Sequence, residues 1–330
     1  MFSTLYIEEA IRGHPRTRKI LRHFKGRTIV ECRHYGELFN LKSQNFRLQK
    51  RQPALILAEK RGKKILPAPP GYAIGARHNY YFSHMLNCIY DCRYCFLQGM
   101  YQSAYAVLFV NYEDFIDSIR QQALRHRTEA VHFFSGYDGD SLALEPLSSF
   151  SETLINSLKN IPNIWLELRT KSTQVRNLLA LETWHQCVVA FSFTPEEVSK
   201  VLEHGVPAIK QRLDAIDKLQ QQGWLIGLRL DPLIDSEDFE QQYQRLLQQL
   251  FSVINADNIH SVSFGTFRMP QGFYNQMTKL YPKERLLAFS MERRDGMVSY
   301  NKSREQNMRN AIQKMLLEYV NPSVLFPCAT

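Results

Sequence analysis

Short apolar runs of strand length alternate with longer stretches of helical spacing along this chain. After residue 71 the pattern is regular. Strands are predicted at 79–83, 130–135, 164–170, 188–193, 225–230 and 261–267. Helices are predicted between them, at 112–126, 147–159, 174–181, 208–222 and 238–254. Pro195 followed by Glu196 and Glu197 suits the first turn of one more helix. Repeated βα units argue for a parallel sheet with helices outside. Six units are too few for a closed eight-stranded barrel. The expected fold class is therefore α/β, an open, partial (βα)6 barrel of the TIM type, with its site at the C-terminal ends of the strands.

The two ends of the chain read differently. Strands are predicted at 4–7, 28–32 and 54–59, with a basic helix at 15–24 and a polar loop at 35–52. Leu66-Pro67-Ala68-Pro69-Pro70-Gly71 has the composition of a rigid linker. A boundary is placed there, between a small basic α/β region (1–71) and the partial barrel (72–330). Near the other end, Asp295-Gly296 lies between β-prone residues and marks a tight hairpin, followed by a helix at 304–319.

Composition narrows the class. With 44% hydrophobic and 22% charged residues, the chain is ordinary globular protein. No apolar run approaches the ~18 residues needed to cross a bilayer, and no export signal is apparent at the N-terminus. A cytoplasmic protein with no membrane association is expected. The net charge of +9 is concentrated: residues 1–77 hold 17 Lys/Arg against 5 Asp/Glu. Clustered cations suit a polyphosphate partner such as nucleic acid, because neutralising phosphates releases counterions. A solvated surface is the alternative.

The six cysteines do not form a disulfide framework. Three of them, Cys88, Cys92 and Cys95, occupy eight residues directly after the first barrel strand. Three thiolates at this spacing can wrap one metal centre. A closed zinc site wants a fourth ligand, for which His84 is the candidate. A 4Fe–4S cluster suits the thiolates better and leaves one iron with an open position.

Cys88-x-x-x-Cys92-x-x-Cys95, with Tyr94 before the third cysteine, resembles the radical S-adenosylmethionine superfamily. That resemblance implies a partial barrel in which three cysteines hold a 4Fe–4S cluster. The open iron chelates S-adenosylmethionine, and one electron cleaves the cofactor to a 5′-deoxyadenosyl radical. Within the superfamily, Tyr6-Ile7-Glu8, the stretch 92–98, Val110-Asn111-Tyr112-Glu113, Thr170-Lys171, Phe191-Ser192 and the C-terminal Arg/Tyr hairpin resemble the spore photoproduct lyase family. Those enzymes are lyases that repair a methylene-bridged thymine dimer in DNA. The implied partners are lesion-containing duplex DNA and a reducing donor such as flavodoxin or ferredoxin, with a monomeric enzyme. Radical modification of another base and a zinc-stabilised DNA-binding protein are the competing readings.

The resemblance assigns Cys88, Cys92 and Cys95 to the cluster. It places Tyr94 near the adenine, Lys171 near the cofactor carboxylate and Ser192 in the same pocket. Asp140 and Arg229 are further cofactor-binding candidates, with Asp231 beside Arg229. Two positions depart from the family. Its hydrogen-donor cysteine aligns with Tyr137, and its relay tyrosine with Phe96. Tyr137 is therefore the candidate hydrogen donor, with Cys187 and Cys32 as alternatives. A lesion inside a duplex must be turned out of the stack to be reached. Arg293, Arg294, Tyr300 and Lys302 on and after the hairpin are the nucleic-acid-binding candidates.

Overall fold

The computed structural model describes residues 2–328. In chain order the N-terminal part forms β1 (Thr4–Glu8), α1 (Pro15–Leu21), β2 (Thr28–Cys32), α2 (Phe46–Arg51), β3 (Ala54–Ala58) and β4 (Ile65–Pro67). There follow β5 (His78–Phe82), β6 (Met85–Leu86), β7 (Asp91–Cys92), α3 (Leu97–Met100), β8 (Ala106–Phe109) and α4 (Tyr112–Arg125). The repeating part continues with β9 (Val131–Ser135), α5 (Glu145–Ser148), α6 (Phe150–Leu158), β10 (Ile164–Thr170), α7 (Arg176–Leu179), β11 (Cys187–Ser192) and α8 (Glu196–Leu202). After β12 (Glu203–His204) come α9 (Ile209–Gln221), β13 (Leu225–Leu233), α10 (Phe239–Phe251), β14 (Ile259–Thr266), β15 (Arg268–Pro270) and α11 (Gln271–Leu280). The chain closes with β16 (Glu292–Arg294), β17 (Met297–Ser299), α12 (Lys302–Leu316) and β18 (Leu325–Pro327).

The larger sheet runs β18-β14-β13-β11-β10-β9-β5-β4. Its six central parallel strands are the six expected from the hydrophobic pattern, in sequence order. β18 adds a seventh parallel strand and β4 an antiparallel edge. The two edges do not meet, so the sheet is an open half-barrel. Ile164, Leu166 and Leu168 alternate with Trp165, Glu167 and Arg169 along β10, as a strand between a helical layer and a polar barrel interior requires. The main core lies between sheet and helices, with Phe133, Leu166, Val189, Leu228 and Phe264 all fully buried. No described helix is long and apolar enough to cross a membrane.

The second sheet, β2-β1-β3-β8-β6, joins N-terminal strands to two strands from beyond residue 71. Ladder hydrogen bonds thus run from β3 to β8 on the far side of the proline-rich segment. That segment itself is partly strand, because β4 pairs with β5. The stretch expected to be a loop at 35–52 contains α2, capped by Asn45 accepting from the Leu48 amide. The hairpin strands flank a two-residue turn with both φ angles positive, +48° at Asp295 and +76° at Gly296, the conformation that favours Asp-Gly.

Candidate active site

The cysteine loop leaves the top of the half-barrel after β5 and β6. Asn87 starts it with φ of +68°. Its side-chain oxygen accepts from the Cys88 amide at 3.0 Å, and its NH2 donates to the carbonyls of Ser103 and Tyr105 at 2.9 and 3.0 Å. One buried amide therefore ties both flanks of the loop. Further along, Cys92 pairs with Glu203 through the short β7–β12 ladder, and the Arg93 amide donates to Leu202. Lys50 reaches Asp91 from α2 at 3.3 Å, so part of the basic N-terminal charge serves this loop.

All three cysteines border one cavity of about 210 Å³, far above the ~30 Å³ of a single water. Tyr94, Phe96, Tyr137, Asp140, Lys171 and Ser192 border it too. The strand ends supply these residues, as the barrel geometry demands. Burial raises the Cys88, Cys92 and Cys95 thiols above their usual range, and the sulfurs oppose one another's ionisation. A cation in the cavity is what makes three thiolates stable there. None of the described cysteines is in a disulfide. His84 is not a fourth ligand: it is buried, stacks on Phe150 with ring centroids 3.7 Å apart, and does not border the cavity. Three thiols without a fourth protein ligand fit an iron–sulfur cluster with one open iron better than closed zinc.

Lys171 directly follows β10 and extends along the wall, its Nζ 5.6 Å from the centre of the Tyr94 ring. It pairs with Glu203 at 3.1 Å. Glu203 was not legible from sequence, yet it is the hub of the site. It accepts from the Tyr94 hydroxyl, from Ser199 at 2.7 Å and from the fully buried Arg212 at 3.0 Å. Burial alone raises a carboxyl pKa. Here Lys171 and Arg212 outweigh it and hold Glu203 down at about 2. One carboxylate thus faces two cations, leaving a net positive charge at the Lys171 end of the wall.

Asp140 borders the cavity, but its carboxylate is taken up by the chain. It accepts from the Leu142 and Ala143 amides, the Thr170 hydroxyl and the Lys171 amide at 2.6–3.0 Å. It positions Lys171 by fixing the end of β10. Gly136 has φ of +88°, and a Cβ there would meet the Arg169 carbonyl at 2.9 Å, so only glycine brings Tyr137 to the rim. The Tyr137 ring lies 5.5 Å from Phe96 and 4.4 Å from Tyr81. Burial, then the neighbouring tyrosines, push its pKa up to about 12, so it keeps its O–H proton.

Three expectations are corrected. Arg229 does not face the cavity. It is buried in the barrel interior, bonded to Glu167 at 2.6 Å and to Ser261 at 2.8 Å, because a desolvated guanidinium needs every donor satisfied. Asp231, two residues on, does border the cavity and pairs with Arg268. Tyr300 is buried, its hydroxyl accepting from the Asp235 amide, so no base can stack on it. Arg294 is anchored to Glu305 at 2.7 Å and to Ser299, fastening the hairpin to α12. Arg293 and Lys302 are exposed and make no ion pair among the described residues. Cys187 is buried in β11 and Cys32 ends β2; neither borders the cavity. Cys328 lies closer, 3.6 Å from Asp231.

The chain is similar to known proteins along nearly its whole length. The family model described as spore photoproduct lyase matches residues 5–328. Spore photoproduct lyase of Bacillus subtilis is 22% identical over 326 residues, covering 94% of each chain. That of Clostridium acetobutylicum is 21% identical, covering 87% of this chain and 84% of the relative. Among solved structures, a spore photoproduct lyase mutant with bound AdoMet and dinucleoside spore photoproduct superposes with a TM-score of 0.87 at 18% identity, covering 98% of both chains. Another, complexed with dinucleoside spore photoproduct, gives a TM-score of 0.83 at 19% identity.

Proposed function

Since the chain belongs to the spore photoproduct lyase family, we propose that it is a radical S-adenosylmethionine lyase acting on a methylene-bridged thymine dimer in DNA. The observation that carries this reading is the convergence of Cys88, Cys92 and Cys95 on one cavity with Tyr94, Lys171 and Ser192 around it. The three cysteines would hold the 4Fe–4S cluster, and the remaining wall would hold S-adenosylmethionine. When bound, the two together would supply a 5′-deoxyadenosyl radical for hydrogen abstraction from the lesion. The rest of the work is placement and shielding by the protein.

Lys171 offers its ammonium to a carboxylate, and Glu203 keeps that ammonium from swinging away. Ser192 offers a hydroxyl at the end of β11. Tyr94, its own hydroxyl committed to Glu203, offers a ring face. Phe96 and Tyr137 form an aromatic rim that limits the entry of water to a reactive centre. Tyr137 holds a proton on its oxygen at the rim and is the group placed to return a hydrogen atom. Outside the cavity, Arg293 and Lys302 offer charge to the phosphate backbone while the lesion is turned out of the stack.

The replacement of the family cysteine by Tyr137 and of the relay tyrosine by Phe96 favours a second reading, the same radical chemistry on another damaged base. One anaerobic assay decides between the two. The protein is reconstituted with iron and sulfide, reduced, and given S-adenosylmethionine and a duplex containing the methylene-bridged dimer. Release of 5′-deoxyadenosine together with restored thymine is the expected result. Cofactor cleavage without thymine would move the substrate to another base, and Cys92→Ala should abolish both products.

A further inference from the structure

The end of the half-barrel opposite the cavity carries a second group of metal-binding side chains. His78 opens β5, His126 caps the end of α4, and Glu129 lies on the connection to β9. Two stretches of chain, the start of β5 and the turn between α4 and β9, therefore meet at the N-terminal ends of the strands. His78 Nε2 stands 2.6 Å from Glu129 Oε2. The two imidazoles stack with centroids 3.6 Å apart and 22° between their planes. One ligand atom from each of the three residues lies within 4.8 Å of the other two. Nothing in the proposed chemistry uses them. We propose that His78, His126 and Glu129 bind a divalent transition-metal ion, for which zinc is the best match.

The donor set is the argument. Two imidazole nitrogens and one carboxylate oxygen suit a borderline ion that accepts tetrahedral coordination, with water completing the fourth position. Glu129 is hydrogen-bonded to His78 through one carboxylate oxygen and to Arg77 through the other. Arg77 engages Oε1 at 3.0 Å and leaves Oε2 on His78. The His78–Glu129 hydrogen bond stands where the ion would go. An ion about 2.0 Å from each atom needs them roughly 3.3 Å apart. The contact must therefore open by less than an ångström, which partly exposed side chains on two segments can allow. The Tyr80 hydroxyl stands 3.5 Å from His126 Nε2, where it can accept from that ring N–H as an outer partner of a metal ligand does. The ion would join the end of α4 to the start of β5, so its effect is on stability and not on the radical reaction.

The test uses the cluster-loaded enzyme in anaerobic, chelator-free buffer, so that the thiolates are occupied. Zinc chloride is titrated by calorimetry, and melting is followed with and without zinc. One zinc per chain beyond the cluster and a higher Tm are expected. Losing an outer partner of a metal ligand costs about 10–100-fold in affinity. His126→Gln and Glu129→Gln, which remove ligands, should therefore lower affinity by about 100-fold or more and abolish the Tm rise, while melting without zinc like the wild type. Cobalt at the site should give ligand-field bands with no thiolate charge-transfer band. Zinc uptake that is unchanged in both variants, or no uptake by the wild type, overturns the proposal. Should a variant fold poorly, anomalous diffraction at the zinc edge from wild-type crystals decides: a peak among the three side chains supports the site, and peaks only elsewhere exclude it. The outcome is independent of the lesion assay, since these residues are remote from the cavity.

Discussion

Tyr137 and Glu203 carry the sharpest consequences among single residues. Tyr137→Phe removes the O–H at the cavity rim and keeps the ring that packs on Phe96 and Tyr81. It should uncouple the reaction: 5′-deoxyadenosine still forms, and thymine recovery drops at least tenfold by product analysis. Repair at the wild-type rate would remove Tyr137 as donor and turn attention to Cys328, the free thiol beside Asp231. Glu203→Gln has a different signature. It leaves Lys171 and the buried Arg212 without a counter-charge, and breaking such a pair costs about 3–5 kcal/mol. The midpoint in urea should fall accordingly. The KM for S-adenosylmethionine should rise as well, because Lys171 loses its anchor. Glu203→Asp should recover part of both. A stability loss with KM unchanged would make Glu203 purely structural.

Among the elements, the hairpin shows how one basic stretch divides its labour. Arg294 is spent inside the protein, pairing with Glu305 and Glu292, whereas Arg293 and Lys302 face solvent. Arg294→Ala should lower stability by about 1 kcal/mol, the value of a partly exposed charged pair, and leave DNA affinity unchanged. Arg293→Ala and Lys302→Ala should do the opposite, each reducing the salt dependence of DNA binding by about one counterion. Binding isotherms at several salt concentrations separate the two patterns. Helix α1 and the turn after it divide in the same way. Arg16 ties it to α4 through Glu113 and the Val110 carbonyl, while Arg18, Arg22, Lys25 and Arg27 are exposed without an ion pair among the described residues. Charge density in the sequence located this region, but it did not separate the arginines that build the fold from those left to meet a partner.

For the whole molecule, the charged interior of the half-barrel sets the response to acid. Burial, helped by the neighbouring His260, lowers His132 to about 4, and burial alone lowers His84 to about 3, from an ordinary 6.5. Below pH 6.5 the unfolded chain takes up these protons and the folded chain does not, so stability falls with pH through that window. Each residue contributes up to about 1.4 kcal/mol per pH unit. Glu167 and Glu203, both held at about 2 by neighbouring cations against their burial, withdraw further stability as pH drops below 4.5. Urea unfolding between pH 7 and 4 should show this decline, and His132→Phe should flatten it; an unchanged slope would place the proton uptake elsewhere. Much of the architecture was readable along the chain. The six central strands, most of the helices between them and the Asp-Gly turn follow from local periodicity and turn chemistry, which need only near neighbours. The three cysteines were readable as a candidate centre because they sit within eight residues, and the fold brings all three to one cavity. Strand β18 and helix α11 lack a strong local signal, since a short edge strand and a covering helix are decided by what they pack on. Arg229 and Tyr300 looked like site residues by type and position, and tertiary burial consumed both. Glu203 reached the site only because β12 pairs with β7, more than a hundred residues away in sequence. A sequence alone determines where chemistry is available; the packing of distant segments decides which groups are committed to the fold and which remain free to react.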